Sequence, residues 1–194
     1  MLVVVAPAAL AADKSILVFG DSVSAAYGIP QARGWVALLG ERLKRERPDY
    51  SVVNASISGE STGGGAARLR AALDRHRPAV VIIELGANDG LRGMPIARMK
   101  KNLAAMIEQS QKAGARVLLV GMRVPPNYGP EYSGEFAAAF DELAKRYRIA
   151  LVPFLFEDFV EKAGLFQPDR VHPTAEAQPL ILERIWKRLR PLLK

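Results

Sequence analysis

Residues 16–28 read ILVFGDSVSAAYG, and this stretch decides the fold. The apolar run at residues 16–19 is typical of a fully buried strand, and Gly20 ends it. An acid and a serine, Asp21 and Ser22, then stand where the strand leads into a loop. Two interpretations of Ser22 are open at this point, a turn residue or a nucleophile, and the rest of the chain has to decide between them.

The pattern of a short apolar strand followed by a helix recurs along the chain. This alternation predicts an α/β fold in which a parallel sheet of about five strands is connected by crossover helices. Strands are predicted at residues 15–19, 51–54, 79–85, 116–121 and 149–154, and helices at residues 35–46, 62–76, 96–113, 135–147 and 174–189. Because parallel strands all point one way, the loops at their C-terminal ends should meet at one edge, where α/β sheets place their ligands.

Size and composition limit the classes of protein that the chain can represent. With 194 residues, 49% of them hydrophobic, one globular domain with a sizeable core is the simplest expectation. The absence of cysteine excludes thiol nucleophiles, thiolate metal sites and disulfides. The formal charge of +7 comes from basic residues dispersed at helix ends, where the helix dipole favours them. We therefore expect no nucleic-acid partner.

The first fourteen residues, MLVVVAPAALAADK, begin with an apolar stretch of about a dozen residues, shorter than the ~20 that span a bilayer. The stretch resembles the apolar part of a secretory signal with a small-residue cleavage site before Ala12, although it lacks a positive n-region. We predict that residues 1–11 are the remainder of a signal peptide and residues 12–194 are the domain. The protein would then be periplasmic or secreted, without stable membrane insertion. A hydrophobic first strand or a disordered tail is the alternative.

An imidazole base has to be one of two histidines. His76 stands in DRHRP at the end of a charged helix, which favours a solvated cap. His172 stands in PDRVHP, three residues after Asp169, and a short turn can bring that carboxylate to the imidazole Nδ1. This contact would fix the tautomer and leave Nε2 free to accept a proton. Taken alone, the pair is equally compatible with a loop salt bridge.

A second serine competes with Ser22 for the role of nucleophile. Ser61 stands in GESTG, residues 59–63, which matches the G-x-S-x-G pattern of α/β-hydrolases. Those enzymes bring their acid and histidine on separate loops of a larger sheet, whereas here the only suitable acid and histidine share one loop. No Lys-Ser/Thr follows the glycines, which also excludes a P-loop. We interpret this stretch as a glycine-rich helix start.

Four motifs occur in a defined order: GDSVS at residues 20–24, NASISG at 54–59, GANDG at 86–90 and DRVHP at 169–173. Together they resemble the GDSL-type SGNH hydrolases, and the resemblance covers essentially the whole chain from Ala12 onward. Val23 replaces the leucine of the family name. Longer phrases, such as residues 83–94 and 124–132, resemble the bacterial periplasmic branch that combines acyl-CoA thioesterase, arylesterase and lysophospholipase activities. The resemblance implies the three-layer α/β/α, flavodoxin-like SGNH hydrolase fold.

The resemblance also implies a role for each motif. Ser22 would be the nucleophile, His172 the base and Asp169 the residue that orients it. The backbone N–H groups of Ser22 and Gly59 and the side-chain amide of Asn88 would form the oxyanion hole. An apolar set on the third and fourth loops would bind the acyl chain: Leu91, Met94, Val124, Pro125 and Tyr128.

Neither a metal nor a cofactor is implied. Asp21 and Asp89 are expected to make local hydrogen bonds and to start helices, because no spacing in the chain is typical of a metal site. The predicted function is hydrolysis of acyl esters and thioesters by a monomer, with aryl esters, acyl-CoA and lysophospholipids as substrates.

Two alternatives stay open. One is a carbohydrate O-deacetylase of the same fold, which the apolar character of the third and fourth loops disfavours. The other is a non-catalytic flavodoxin-like binding module, in which Ser22 and His172 would be scaffold residues. Such a module has no need for a serine, an Asp-His pair and separate oxyanion donors on converging loops.

Overall fold

The computed structural model describes residues 14–194, so the predicted signal-peptide remainder at residues 1–11 lies outside the described residues. One sheet contains five strands, all parallel, in the order β2-β1-β3-β4-β5. These strands are β1 Lys14–Gly20, β2 Tyr50–Asn54, β3 Val80–Glu84, β4 Arg116–Val120 and β5 Ala150–Val152. This strand order is the flavodoxin-like one, and the predicted fold class is confirmed.

Residues 14–194 contain six α-helices, of which the five longer ones pack on the two faces of the sheet. The six helices are α1 Trp35–Glu46, α2 Thr62–His76, α3 Ala87–Leu91, α4 Ile96–Lys112, α5 Pro130–Tyr147 and α6 Gln178–Leu189. Helices α1 and α6 pack against each other, whereas α2 packs against α4 and α4 against α5. The result is three layers, helix, sheet and helix. Within residues 14–194, none of the helices combines the length and the apolar composition needed to span a bilayer.

The core explains why these segments form these elements. Residues 16–19 of β1 and residues 80–83 of β3 have no exposed surface, as continuous apolar strands between two helical layers should. Each helix buries one stripe at helical spacing; in α4 the stripe includes Met99, Leu103 and Met106.

Three differences from the predicted helices exceed one residue, and β5 is three residues shorter than predicted. Helix α5 begins at Pro130 because Gly129, at a φ of 85°, turns the chain and proline suits the first helical position. The last helix begins at Gln178, after a 3-10 turn at Ala175–Ala177 that occupies the predicted first turn. Helix α3 was not predicted, because its sequence contains the loop-forming residues Asn, Asp and Gly.

The short helix α3 is held by one buried carboxylate. Asp89 is 1% exposed, and its two oxygens accept hydrogen bonds from the Thr62 backbone N–H at 2.8 Å and from Thr62 Oγ1 at 2.6 Å. Asp89 therefore joins α3 to the first residue of α2, so that the loops after β2 and β3 keep a fixed relative position. The expected role of Asp89 in starting a helix is observed, with the helix being α2.

Asp89→Asn tests whether the hydrogen bonds between Asp89 and Thr62 stabilise the fold. The amide replaces one acceptor by a donor that faces a donor of Thr62, so we expect the free energy of unfolding to fall by about 2 kcal/mol in urea denaturation. Asp74→Asn is the matched control, because Asp74 forms an exposed pair with Arg70 near the end of α2 and should change stability by less than about 0.5 kcal/mol. Equal effects of the two substitutions would contradict the assigned role of Asp89.

Candidate active site

Ser22 lies in a compact turn directly after β1. Asp21 organises the turn: its Oδ1 accepts the Val23 N–H at 3.1 Å, and its backbone carbonyl accepts the Ala25 N–H at 3.0 Å. The Ser22 carbonyl accepts the Tyr27 N–H at 3.0 Å. Ser22 itself is half-buried, so its hydroxyl is held at the edge of the sheet while remaining accessible.

Asp169 and His172 are brought together by a tight turn in the loop after β5. Asp169 Oδ1 accepts the backbone N–H groups of Val171 at 2.9 Å and His172 at 3.0 Å. Arg170, at a φ of 59°, takes the left-handed conformation that reverses the chain. Asp169 Oδ2 then lies 2.7 Å from His172 Nδ1. The expected carboxylate–imidazole pair is therefore present.

The Asp169–His172 pair contacts Ser22, which lies on the loop after β1. His172 Nε2 lies 2.9 Å from Ser22 Oγ. Partial burial acts to raise the pKa of Asp169, but hydrogen bonds from the backbone and side chain of His172 and from Val171 lower that pKa to about 2. Asp169 is therefore a carboxylate at neutral pH, which favours the tautomer that places the Nδ1 proton toward Asp169 and the Nε2 lone pair toward Ser22.

Tyr27 packs beside this trio. Its ring centroid lies 4.6 Å from that of His172, and its backbone carbonyl accepts a hydrogen bond from Gln167 Nε2 at 2.8 Å. Tyr27 thereby joins the first loop to the loop that carries His172. Sequence analysis did not select Tyr27, because only the folded chain brings it to a histidine that far away.

The three predicted oxyanion donors lie on the first, second and third loops. Gly59 is exposed and has a φ of 79°, a conformation that favours glycine. Asn88, in α3, donates from Nδ2 to Asp21 Oδ2 at 3.2 Å and to the Glu60 carbonyl at 3.1 Å. The Asn88 amide therefore bridges the loop of Ser22 and the loop of Gly59.

Two arginines fix the second loop. Arg68 donates to Glu60 Oε2 at 2.6 Å and to the Ala55 carbonyl at 2.8 Å, and its guanidinium lies over the Phe19 ring at 3.9 Å. Arg92 donates to the Gly59 carbonyl at 3.1 Å. The peptide groups around Gly59 are thus held from both sides.

Ser61, the competing serine, caps a helix. Its Oγ accepts a hydrogen bond from the Gly64 N–H at 3.3 Å, and its backbone is extended, as is typical of an N-cap. The interpretation of this stretch as a glycine-rich helix start is confirmed.

The predicted acyl-binding residues have different surroundings. Tyr128 donates to the Leu91 carbonyl at 2.6 Å, so both residues belong to one tethered unit. Met94 is half-buried and Pro125 is exposed, whereas Val124 is only 8% exposed and packs against α3 near Gly90. Their part in substrate binding stays a prediction.

Three large apolar side chains on the loops at this edge of the sheet are exposed. Tyr27 is 53% exposed, Ile57 50% and Val171 39%, and they follow β1, β2 and β5 respectively. We call these three residues the apolar rim. Sequence analysis missed the rim, because an apolar residue in a loop carries no signal of its exposure.

Comparisons with known proteins agree with this geometry. The profile of the GDSL-like Lipase/Acylhydrolase family matches residues 18–179. Esterase TesA of Pseudomonas aeruginosa is 50% identical over 183 residues, which are 94% of this chain and 91% of that protein. The Escherichia coli K12 protein named thioesterase 1/protease 1/lysophospholipase L1 is 40% identical over 183 residues, 94% of this chain and 86% of that protein.

A solved structure shows the same fold at high identity. The psychrotrophic esterase EstA from Pseudoalteromonas sp., in a crystal structure inhibited by monoethylphosphonate, is 44% identical with a TM-score of 0.88. The match covers 93% of this chain and 99% of that one. The resemblance inferred from the four motifs is confirmed, together with the predicted class of enzyme: this chain belongs to the GDSL-like Lipase/Acylhydrolase family.

Proposed function

We propose that the protein hydrolyses carboxylic esters and thioesters through an acyl intermediate on Ser22. The observation that carries the proposal is the continuous contact from Asp169 Oδ2 to His172 Nδ1, at 2.7 Å, and from His172 Nε2 to Ser22 Oγ, at 2.9 Å. A serine, a histidine and a carboxylate in this order are the parts that acyl transfer requires.

In the first half-reaction, Ser22 Oγ attacks the carbonyl carbon while His172 Nε2 accepts the hydroxyl proton. Asp169 stabilises the imidazolium that forms and keeps the ring oriented. His172 then donates that proton to the leaving alcohol or thiol, and the acyl group stays on Ser22. In the second half-reaction, His172 takes a proton from water, which attacks the acyl carbon. His172 then returns that proton to Ser22 Oγ as the intermediate collapses, which releases the acid and restores the enzyme.

The negative oxygen of each tetrahedral intermediate needs donors that are fixed in advance. We assign this role to the N–H groups of Ser22 and Gly59 and to the Asn88 amide. At rest Asn88 Nδ2 donates to Asp21 and to the Glu60 carbonyl, and an oxyanion would replace the Glu60 carbonyl as the acceptor of the second hydrogen bond. The arginine contacts of the second loop support a fixed position for Gly59.

Aryl esters, acyl-CoA and lysophospholipids are the substrates we propose. The names of the two relatives, an esterase and a thioesterase/lysophospholipase, support this range. Within the chain, the apolar rim and the partly buried Leu91, Met94 and Tyr128 offer apolar surface on loops at the same edge of the sheet as Ser22.

The cellular setting belongs to the same proposal. The apolar sequence of residues 1–11 supports a signal-peptide remainder ahead of a domain at residues 12–194, and with it a periplasmic or secreted enzyme. We propose that the enzyme acts as a monomer, since the site is assembled from loops of one chain.

The apolar rim also bears on the alternative substrate class. A carbohydrate O-deacetylase has a polar leaving group and a two-carbon acyl chain, so three exposed apolar side chains on the loops at this edge of the sheet would contribute little to substrate binding. The rim therefore favours longer acyl chains or apolar leaving groups.

Ser22→Ala and Ser61→Ala distinguish the two serines. With p-nitrophenyl esters from acetate to palmitate, and an acyl-CoA in parallel, Ser22→Ala should abolish turnover because no nucleophile remains. Ser61→Ala should keep kcat within about twofold and lose about 1 kcal/mol of stability, the usual value of a helix cap.

A covalent probe makes the same distinction without turnover. A p-nitrophenyl ethylphosphonate should add one phosphonyl group to wild type and to Ser61→Ala, on the peptide that contains Ser22, and none to Ser22→Ala. Labelling of Ser61, or hydrolysis by Ser22→Ala, would overturn the assignment. A rate that is highest for acetate would favour the deacetylase, and no hydrolysis by any variant would favour the binding module.

Asp169→Asn tests the carboxylate. The amide keeps an acceptor near Nδ1 but removes the charge, and we expect kcat to fall by about 10² to 10⁴. Since the pKa of wild-type Asp169 is about 2, this group stays ionised from pH 5 to 9, and the loss should extend over that whole range. Asp158→Asn, at an exposed carboxylate paired with Arg184, is the control and should leave kcat unchanged. A loss confined to acidic pH would contradict the assigned role.

A further inference from the structure

A pair of buried carboxyl groups lies beneath the Ser22 turn. Glu84 has no exposed surface, and Asp21 is 1% exposed. Glu84 is the last residue of β3 and lies opposite Gly20, the last residue of β1. A Cβ atom on Gly20 would lie 2.7 Å from Glu84 Oε2 and 2.8 Å from Ser24 Oγ. Glycine at this position therefore makes the room that the Glu84 carboxyl occupies.

The hydrogen bonds of Glu84 connect it to the first loop. Its Oε2 accepts the Ser24 hydroxyl at 2.7 Å and the Asp21 N–H at 3.4 Å. Glu84 Oε1 has no hydrogen-bond partner among the described residues. An ionised Glu84 would thus leave one charged oxygen unpaired in the interior, which favours the neutral acid.

Asp21 differs from Glu84 because its oxygens are both engaged. Oδ1 accepts the Val23 N–H at 3.1 Å, and Oδ2 accepts the Asn88 side-chain amide at 3.2 Å. Burial raises the pKa of Asp21 to about 6, although the Val23 hydrogen bond and the charge of His172 act to lower it. Burial, and then the charge of Asp21, raise the pKa of Glu84 well above its ordinary value.

The titratable groups that act on Asp21 are Glu84, from β3, through a hydrogen bond, and His172, from the loop after β5, through its charge. Because the charge of Asp21 is one of the causes that raise the pKa of Glu84, we place the first negative charge of the pair on Asp21, with a neutral Glu84 beside it. That charge lies behind both the nucleophile and the oxyanion donor.

We propose that Asp21, supported by a neutral Glu84, is a positioning residue that orients the Asn88 amide for the oxyanion and fixes the turn of Ser22. Asp21 accepts one Asn88 N–H, and because the amide group is planar this contact restricts the direction of the other N–H, which donates to the Glu60 carbonyl. The proposal rests on the proposed function, since it assigns Asp21 to the same reaction.

A double-mutant cycle separates positioning from a merely structural role. The rates of Asp21→Asn, Asn88→Ala and the double variant are measured with p-nitrophenyl butyrate. Asparagine keeps an acceptor for Val23 but weakens and can misorient the contact to Asn88, so kcat should fall about tenfold with little change in KM. Asn88→Ala should lose about 10² to 10³ in kcat, and adding Asp21→Asn should cause no further loss. Losses that multiply would overturn the proposal.

Glu84→Gln tests whether a neutral side chain at position 84 is enough to support Asp21. Glutamine keeps an acceptor for Ser24 and cannot ionise. If Glu84 is neutral during catalysis, kcat of this variant should therefore stay within about threefold of wild type. The acid limb of kcat against pH should contain the titration of Asp21 near pH 6 in wild type and in Glu84→Gln, and lose that component in Asp21→Asn. A large loss of kcat in Glu84→Gln would show that an ionised Glu84 is required and would overturn the charge assignment.

Thermal melts at pH 5 and pH 8 supply a readout besides activity. A carboxyl whose folded pKa is raised gives stability below its unfolded pKa of 3.8, and this stability is lost as pH rises through about 6. Asp21→Asn should therefore raise Tm relative to wild type at pH 8 and much less at pH 5. Asp74→Asn, the exposed control, should show no such difference. If Asp21→Asn changes Tm equally at both pH values, the assignment of a buried charge to Asp21 is wrong.

Failure of the two proposals can be told apart. Hydrolysis by Ser22→Ala would end the proposed function itself. If Ser22→Ala is inactive but Asp21→Asn keeps full kcat, or if its loss persists unchanged in Asn88→Ala, the function stands and the positioning role of Asp21 falls.

Discussion

The hydrogen bond between Ser22 Oγ and His172 Nε2 joins residues that are 150 positions apart in the chain, and the rest of the site depends on it. Neither loop can set this distance alone. The parallel sheet does so, because β1 and β5 end at the same edge and the strands between them are packed without exposed surface at residues 80–83 and 118–120. A close-packed interior of this kind deforms little, so a contact of about 3 Å at its edge can be kept.

Two kinds of constraint supply the remaining geometry. The contact between Asp169 and His172 is local, since a turn of four residues with Arg170 in the left-handed region brings the groups together. The position of Asn88, in contrast, depends on residues that are distant in the sequence. It depends on Asp21 from the first loop, on Glu60 from the second, and on the bond of Asp89 to α2. The position of His172 is thus determined by residues close to it in the sequence. The position of the Asn88 amide is determined by contacts from several loops at the edge of the sheet.

This difference explains what could be predicted from the sequence. Strand and helix patterns give the five strands and the bounds of α1 and α2, because apolar periodicity reports directly on burial. The Asp-x-x-His spacing gives the local pair. The start of α5 at Pro130 is a turn effect that periodicity does not register, and α3 is held by tertiary contacts against the preferences of its own residues. The apolar rim could not be predicted, since the exposure of Tyr27, Ile57 and Val171 is decided only when the chain folds.

Glu84 is the clearest case of a residue whose role is hidden in the sequence. It ends a strand of valines and isoleucines, where an acid suggests the exposed end of a strand, yet it has no exposed surface. Burying a carboxyl group opposes folding unless it stays neutral and hydrogen-bonded, and an apolar residue would fill the space at lower cost. Local rules are broken in this way mainly where function requires it.

Two carboxyl groups near His172 have opposite behaviour: hydrogen bonds lower the pKa of Asp169 to about 2, and burial raises the pKa of Asp21 to about 6. Asp169 therefore stays charged at neutral pH, whereas the titration of Asp21 near pH 6 can make the geometry of the oxyanion donor depend on pH.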